Sequence, residues 1–249
     1  MSKELIIYQH PISPFAATVV AVANYFNIEH TEYRIDLAMG VQKQDWFLKI
    51  NPAGKIPAIK DGDHCMGESL DICKYLIESR ELDTAFYPYR DAAKVKEIND
   101  LKDKIKDLEP TVLEVAKAFW VEPWMTGCAF PDGEKGDKIM KDVYDQFTIM
   151  EEHLSSNGTK FLHDDKQIGI IDFWAFNLVF SLVDKELVYL DKWPKLSKWF
   201  DACAQVQALD DIRTRSRRYF KFFDFLFKTL YPTIRFVTCR QFGVTLPGQ

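Results

Sequence analysis

The sequence predicts an α/β domain over residues 1–79, then a linker at 80–91, then an all-helical domain over 92–249. Three observations predict it. Short apolar runs alternate with a helical stretch up to residue 69. An Asp-Gly pair at 61–62 lies between two short strand runs, the strongest local hairpin signal. Beyond residue 91 only helical periodicity remains.

Leu5-Ile6-Ile7-Tyr8 is a buried-strand run, broken by His10-Pro11-Ile12-Ser13-Pro14. FAATVVAVANYF (15–26) is an apolar, Ala-rich helix long enough to cross a sheet face. Thr31 to Leu37 reads as a second strand, and 38–50, with Trp46, Phe47 and Leu48, as a short helix over a loop. Pro57 forces Ile56 extended, Lys60-Asp61-Gly62-Asp63 turns a hairpin, and Glu68-Ser69 opens the run LDICKYLI as a helix. The β-α-β-α-β-β-α order fits a mixed sheet with helices on its faces. In the second domain Ala92 to Phe119 reads as one amphipathic helix that Pro110 should kink or break. Residues 121–136, rich in Pro and Gly, read as a loop, and 137–154, 170–182 and 194–208 as helices.

Composition restricts the function. The 249 residues are 47% hydrophobic and 28% charged, as in a globular chain. No apolar run reaches the ~18 residues of a membrane span, and MSKELIIYQHP lacks the apolar core of a signal peptide. Five scattered cysteines (65, 73, 128, 203, 239) form no CxxC and no metal-ligand spacing. The five histidines form no cluster, so no metal site is expected, and unpatterned cysteines favour reduced thiols and a cytoplasmic location. A net charge of −5 argues against nucleic acid as a partner. Residues 212–249 depart from that average, with eight lysines and arginines against one acid, Asp224, and seven of the 19 phenylalanines.

The stretch NPAGKIPAIKDGDHCMGES (51–69) resembles the glutathione-binding half of the thioredoxin-like domain in cytosolic glutathione transferases. In that family Asn-Pro-x-Gly-x-(Val/Ile)-Pro-(Ala/Val) carries a cis-proline and Glu-Ser binds the γ-glutamyl end. The second domain adds Gly169-Ile170-Ile171-Asp172, similar to the family's Ser/Thr-x-x-Asp box with glycine in place of the capping hydroxyl, and WPKLSKWFDAC (193–203). Together these cover about residues 4–209.

The resemblance implies a thioredoxin-like domain joined to an all-α domain. It also implies conjugation of glutathione to electrophiles, with reduction of organic hydroperoxides as a related activity. No cofactor beyond glutathione as co-substrate is expected. The family activates the thiol with Tyr, Ser or Cys just after the first strand. Tyr8 lies within the strand and no cysteine is near, so Ser13 fits best, in an Ile-Ser-Pro context similar to the phi and theta classes. Ser13 also suits the N-cap of helix 15–26, with Pro14 at the first helical position. A hydroxyl can serve both roles.

By the same resemblance Glu68 meets the γ-glutamyl ammonium, Ser69 its carboxylate, and Ile56, ahead of a cis Pro57, pairs with the cysteinyl main chain. Lys55 lies near the tripeptide and Lys43 reaches the glycyl carboxylate, beside Gln42, where phi and theta enzymes often have His. For both lysines solvated surface charge is an equal alternative. A hydrophobic electrophile is expected against Ile12, Phe15, residues 105–120, including Phe119 and Trp120, and the tail, with simple core packing as the alternative for each. The family implies a homodimer acting in detoxification. The rival readings are a non-catalytic binder of glutathione or apolar ligands on the same fold, and a scaffold that contacts membranes through the basic tail. That tail reads first as a last helix with its arginines in water; a lid over the site and a membrane-surface segment are the alternatives.

Overall fold

The structure is a computed structural model, and it describes residues 4–37, 39–121, 131 and 133–225, with the side chains of 120, 121 and 223–225 outside that description. The chain begins β1 (Leu5–Gln9), α1 (Pro14–Tyr25) and β2 (Thr31–Arg34). A 3-10 turn at Val41–Lys43 and the short α2 (Asp45–Leu48) lead to β3 (Ala58–Asp61), β4 (His64–Gly67) and α3 (Ser69–Glu78). The four strands form one mixed sheet in the order β2-β1-β3-β4. β1 and β2 are parallel, as expected of strands joined through a helix, and the other pairs are antiparallel. The hairpin loop is Gly62-Asp63, with positive φ at Gly62 (62°) alone, so the glycine takes the first central position of the turn. The second strand is shorter than expected, ending at Arg34, although Ile35 N–H still donates to the Gln9 carbonyl at 2.8 Å.

Two apolar layers hold the sheet. On one face α1 and α3 pack together, and α1 is buried along Ala16–Ala23 because helices cover it on both sides. On the other face Tyr8, Ile35, Phe47 and Ala58 form a smaller core closed by Leu37, Val41, Ile50 and Ile56.

Among the described residues the helical part holds α4 (Ala92–Lys104), α5 (Leu108–Ala116), α6 (Gly133–Asn157), α7 (Ile170–Val183), α8 (Pro194–Ala204) and α9 (Gln207–Phe225), with a π-helical turn at Lys117–Val121. The single helix expected over 92–119 is broken at Ile105–Asp107. In a continuous helix the Pro110 ring would strike the Lys106 carbonyl; here Pro110 occupies the first turn of α5, where a missing N–H leaves nothing unpaired. The loop expected to 136 ends sooner, since α6 begins at Gly133, and the helix expected over 194–208 divides at Gln205–Val206.

α7 is apolar all round and buried from Ile170 to Leu182, which makes it the axis of the second core. Asp172 closes its N-terminus. Its carboxylate accepts from Gly169 N–H (2.9 Å), Leu162 N–H (2.8 Å) and Trp199 Nε1–H (2.8 Å), tying α7 to α8. At Gly169 a Cβ would make a close contact, 3.3 Å, with the Phe86 carbonyl, which accepts the Ile170 N–H at 3.0 Å. The architecture is an α/β thioredoxin-like domain joined to a helical domain.

Three of the four arginines of α9 are paired with acids rather than left to water alone, and Arg218 is exposed as a surface helix would have it. Arg213 and Arg217 both bind Asp184, and Arg215 binds Glu32 at 2.7 Å. α9 packs against α1, so the start of the basic tail belongs to the folded body. Residues 226–249 of that tail lie outside the described residues.

Candidate functional site

A cleft of about 400 Å³ opens between the start of α1, the loop before β3, the start of α3 and one face of α5. Nine of the residues expected at the site line it: Ile12, Ser13, Phe15, Gln42, Lys55, Ile56, Pro57, Glu68 and Ser69.

Ser13 is the N-cap of α1. Its Oγ accepts from Ala16 N–H at 3.2 Å and Pro14 follows at the first helical position. The capping bond uses the hydroxyl as an acceptor, which leaves its proton to donate into the cleft. The loop on the facing side is held by Asn51, which is 7% exposed. Its side-chain amide donates to the Lys55 carbonyl at 2.7 Å and its Oδ1 accepts from Ala53 N–H at 3.2 Å. Gly54 (φ 59°) permits the fold-back, since a Cβ there would lie 2.9 Å from the Gln42 carbonyl. The loop then delivers Ile56 to the cleft one residue before a cis bond to Pro57.

Across the cleft, Glu68 adopts a positive φ (φ 65°, ψ 111°), rare for a residue with a side chain. Ser69 is the first residue of α3, and no side chain caps that helix. The uncapped first-turn N–H groups and the helix dipole favour an anion there. Gln42 supplies a further unmet group: its Oε1 is buried without a hydrogen-bond partner.

Two expected residues are placed elsewhere. Lys43 Nζ donates to the Ala53 carbonyl at 3.3 Å and does not line the cleft. Phe119 is part-buried against the main core, away from the cleft. The Trp120 side chain lies outside the described residues. Four residues from the expected range 105–120 do line the cleft: Glu109, Val112, Leu113 and Ala116.

Glu109, Asn51 and Ser181 were not singled out from the sequence. Asn51 opens the motif that carries the resemblance, and that position was the available signal. Glu109 is half-buried. Burial pushes its carboxyl up; Lys102 opposes this, Glu68 adds to it and Lys55 opposes it. Glu109 thus shares an electrostatic environment with two candidate ligand-binding residues.

The alternative activators are elsewhere. Tyr8 is 6% exposed and packs against Tyr33, Trp46 and Phe47 on the opposite sheet face, with burial raising its phenol. Burial likewise raises the thiols of Cys73 and Cys203. Among the described residues no group of three His, Cys, Asp or Glu side chains could hold a metal ion, and no helix is long and apolar enough to cross a membrane.

A family model described as glutathione S-transferase, N-terminal domain, matches residues 7–83. Glutathione S-transferase 3 of Zea mays is 29% identical over 161 residues, covering 64% of this chain and 70% of the relative. Pyrimidodiazepine synthase of Drosophila melanogaster is 27% identical over 233 residues, covering 84% and 85%. The solved apo form of human glutathione-S-transferase T1-1 superposes with a TM-score of 0.76 at 21% identity, covering 86% of this chain and 88% of that one.

Proposed function

We propose that this chain is a glutathione S-transferase of the cytosolic type, that it transfers alkyl or aryl electrophiles onto the glutathione thiol, and that Ser13 is the thiol activator. The observation that supports this best is the shared cleft. The Ser13 hydroxyl, Glu68 with Ser69 at an uncapped helix start, and an apolar wall on α5 all line it.

Glutathione lies with its γ-glutamyl ammonium at Glu68 and the adjoining carboxylate on Ser69 and the free N–H groups of α3. Its cysteinyl main chain pairs with Ile56, which brings the sulfur to Ser13. Gln42 accepts a hydrogen bond from the tripeptide through its unpartnered Oε1, and Lys55 supplies positive charge beside it. Lys43 reaches the glycyl carboxylate by leaving the Ala53 carbonyl. The electrophile lies on Ile12, Phe15 and α5. Glutathione-dependent hydroperoxide reduction uses the same thiolate on a different acceptor. The similarity to glutathione S-transferases further supports a cytoplasmic homodimer in detoxification.

Magnitudes show where the rate comes from. At a pKa of about 8.5 a free thiol is only about 3% ionised at pH 7. A hydrogen bond from Ser13 to the charged sulfur contributes about 1.5–3 kcal/mol, enough to lower the thiol pKa by about two units and raise the thiolate roughly 25-fold. The weaker basicity costs roughly eightfold in nucleophilicity if the thiol-exchange dependence holds. The net gain is about threefold, so most of the acceleration comes from holding sulfur and electrophile together.

The test is retention on immobilised glutathione, followed by turnover of an aryl halide and of cumene hydroperoxide by wild type and Ser13→Ala. Retention with a loss of kcat that far exceeds the change in glutathione affinity supports the assignment. Equal losses in kcat and affinity remove Ser13 from the chemistry. Retention without turnover of either substrate makes the chain a binding protein.

A further inference from the structure

The hydrogen bonds around His10 extend from α9 to the loop that carries Ser13. His10 is 7% exposed and its ring stands edge-on to Tyr219 of α9, with centroids 5.2 Å apart. Ile12 N–H donates to His10 Nδ1 at 3.2 Å. A backbone N–H is only a donor, so Nδ1 is unprotonated and the neutral ring carries its proton on Nε2. Nε2–H therefore donates to the Tyr219 hydroxyl oxygen, 3.2 Å away. That oxygen also accepts from Arg34 Nη2 at 2.9 Å, and the Arg34 guanidinium lies 5.2 Å from the Tyr219 ring centroid. The His10 carbonyl accepts the Ser13 N–H at 2.9 Å. Beside it, Ser216 of α9, 2% exposed, donates its hydroxyl to the Pro11 carbonyl at 3.2 Å. Thus residues 10–13 are held from both sides: His10 closes the turn internally, and Tyr219 and Ser216 fix it to α9.

We propose that His10 is a positioning residue for Ser13, and that Tyr219 of α9 holds the His10 ring in the orientation and tautomer that the turn requires. The proposal rests on Ser13 acting on the glutathione sulfur. A hydroxyl that stabilises a thiolate must point within tenths of an ångström, so a loosened turn costs catalysis more than binding. α9 thereby influences the chemistry from outside the cleft lining.

The charged and titratable groups facing the ring agree with a neutral histidine. Burial, followed by Arg34, holds its pKa down to about 4, while Asp36 opposes weakly, and the Tyr219 phenol, itself raised by burial, stays protonated. Protonating Nδ1 would set two donors against each other and release Ile12.

The test uses the full chain and two readouts: kcat against KM for glutathione with an aryl halide, and the pKa of the bound thiol from its thiolate ultraviolet absorbance. Four variants are compared. His10→Leu removes both bonds. His10→Asn restores an acceptor near Nδ1. Tyr219→Phe removes the outer bond at little packing cost. Ser13→Ala is the reference.

Ser13→Ala should raise the bound thiol pKa by about two units. His10→Leu should move it in the same direction and lower kcat about tenfold with less than a threefold change in KM. Tyr219→Phe should give a smaller change of the same kind, and His10→Asn should recover most of the His10→Leu loss. If Ser13→Ala shifts the thiol pKa while His10→Leu and Tyr219→Phe leave it and kcat unchanged, the positioning role is overturned and the serine assignment stands. If His10→Asn is as impaired as His10→Leu, the ring serves packing alone. If Ser13→Ala leaves the thiol pKa unmoved, both readings fall. Should His10→Leu not fold, Tyr219→Phe alone decides, by the presence or absence of the thiol shift.

Discussion

Asp184, just past the end of α7, grips Arg213 of α9 through three hydrogen bonds of 3.0, 2.9 and 2.7 Å, and takes Arg217 of the same helix at 2.8 and 2.9 Å. The Asp184 side chain is 4% exposed, so its charge has little access to water. Removing one partner from a buried pair leaves an uncompensated charge and costs about 3–5 kcal/mol. Asp184→Ala should therefore lower the thermal midpoint clearly. It should also expose α9 to trypsin, whose sites include Arg213, Arg215, Arg217 and Arg218. Arg215→Ala, which breaks a half-exposed pair with Glu32, should cost less than about 1 kcal/mol. Equal proteolysis of wild type and Asp184→Ala would show that the pair does not anchor the helix.

The uncapped start of α3 gives a binding prediction. Ser69 is 8% exposed and faces the cleft beside N–H groups that no side chain satisfies. Ser69→Ala removes a hydroxyl from a bound carboxylate, a charge-assisted bond of about 1.5–3 kcal/mol. KM for glutathione should rise roughly tenfold or more while kcat at saturation changes little. A loss confined to kcat would place the carboxylate elsewhere.

Glu109 stands in the cleft wall with Val112, Leu113 and Ala116, half-buried and within the field of Glu68. Two carboxylates near one cationic group share its attraction, and each raises the other's pKa when the cation is absent. Glu109→Gln should weaken glutathione binding by less than the loss in Glu68→Gln, on the order of threefold. Isothermal titration at pH 7 measures both. A tighter complex after Glu109→Gln would show that Glu109 repels the tripeptide.

The sequence made some of this legible for local reasons. Gly62 marks the hairpin because it takes positive φ at the turn. Ser13-Pro14 marks a helix start because each residue satisfies a helix end in its own way. Pro110 forced a break, but where the break falls depends on the carbonyl four residues earlier, so the helix ends ahead of the proline rather than at it. Other features depend on distant packing. Glu109 reaches the cleft only because α5 faces the first domain across it. Lys43 reads as a charge near the site, yet its flexible stem lets Nζ settle on the Ala53 carbonyl. Arg213 and Arg215 read as solvated because their acceptors, Asp184 and Glu32, lie 29 and 183 positions away respectively.

His10 and Asp172 should offset one another in the pH dependence of stability. The folded state holds His10 at about 4, below its ordinary 6.5, so between these values the unfolded chain binds a proton that the native chain lacks. Through that window His10 makes stability rise with pH, by at most about 1.4 kcal/mol per pH unit. Asp172 behaves oppositely. Burial raises its carboxyl to about 6 from 3.8, outweighing the hydrogen bonds it accepts, so between these values the native chain binds the extra proton. Asp172 makes stability fall as pH rises, by a similar slope. Between about pH 4 and 6 the two slopes cancel. Relative to wild type, His10→Asn should lose stability as pH rises through that window, and Asp172→Asn should lose stability as pH falls. Asp172→Asn should also be less stable than wild type at pH 7, since an amide cannot accept from all of Gly169, Leu162 and Trp199. Urea unfolding at pH 4.5 and 6 decides it: parallel profiles for wild type and either variant would mean that residue does not titrate differently in the folded and unfolded chains.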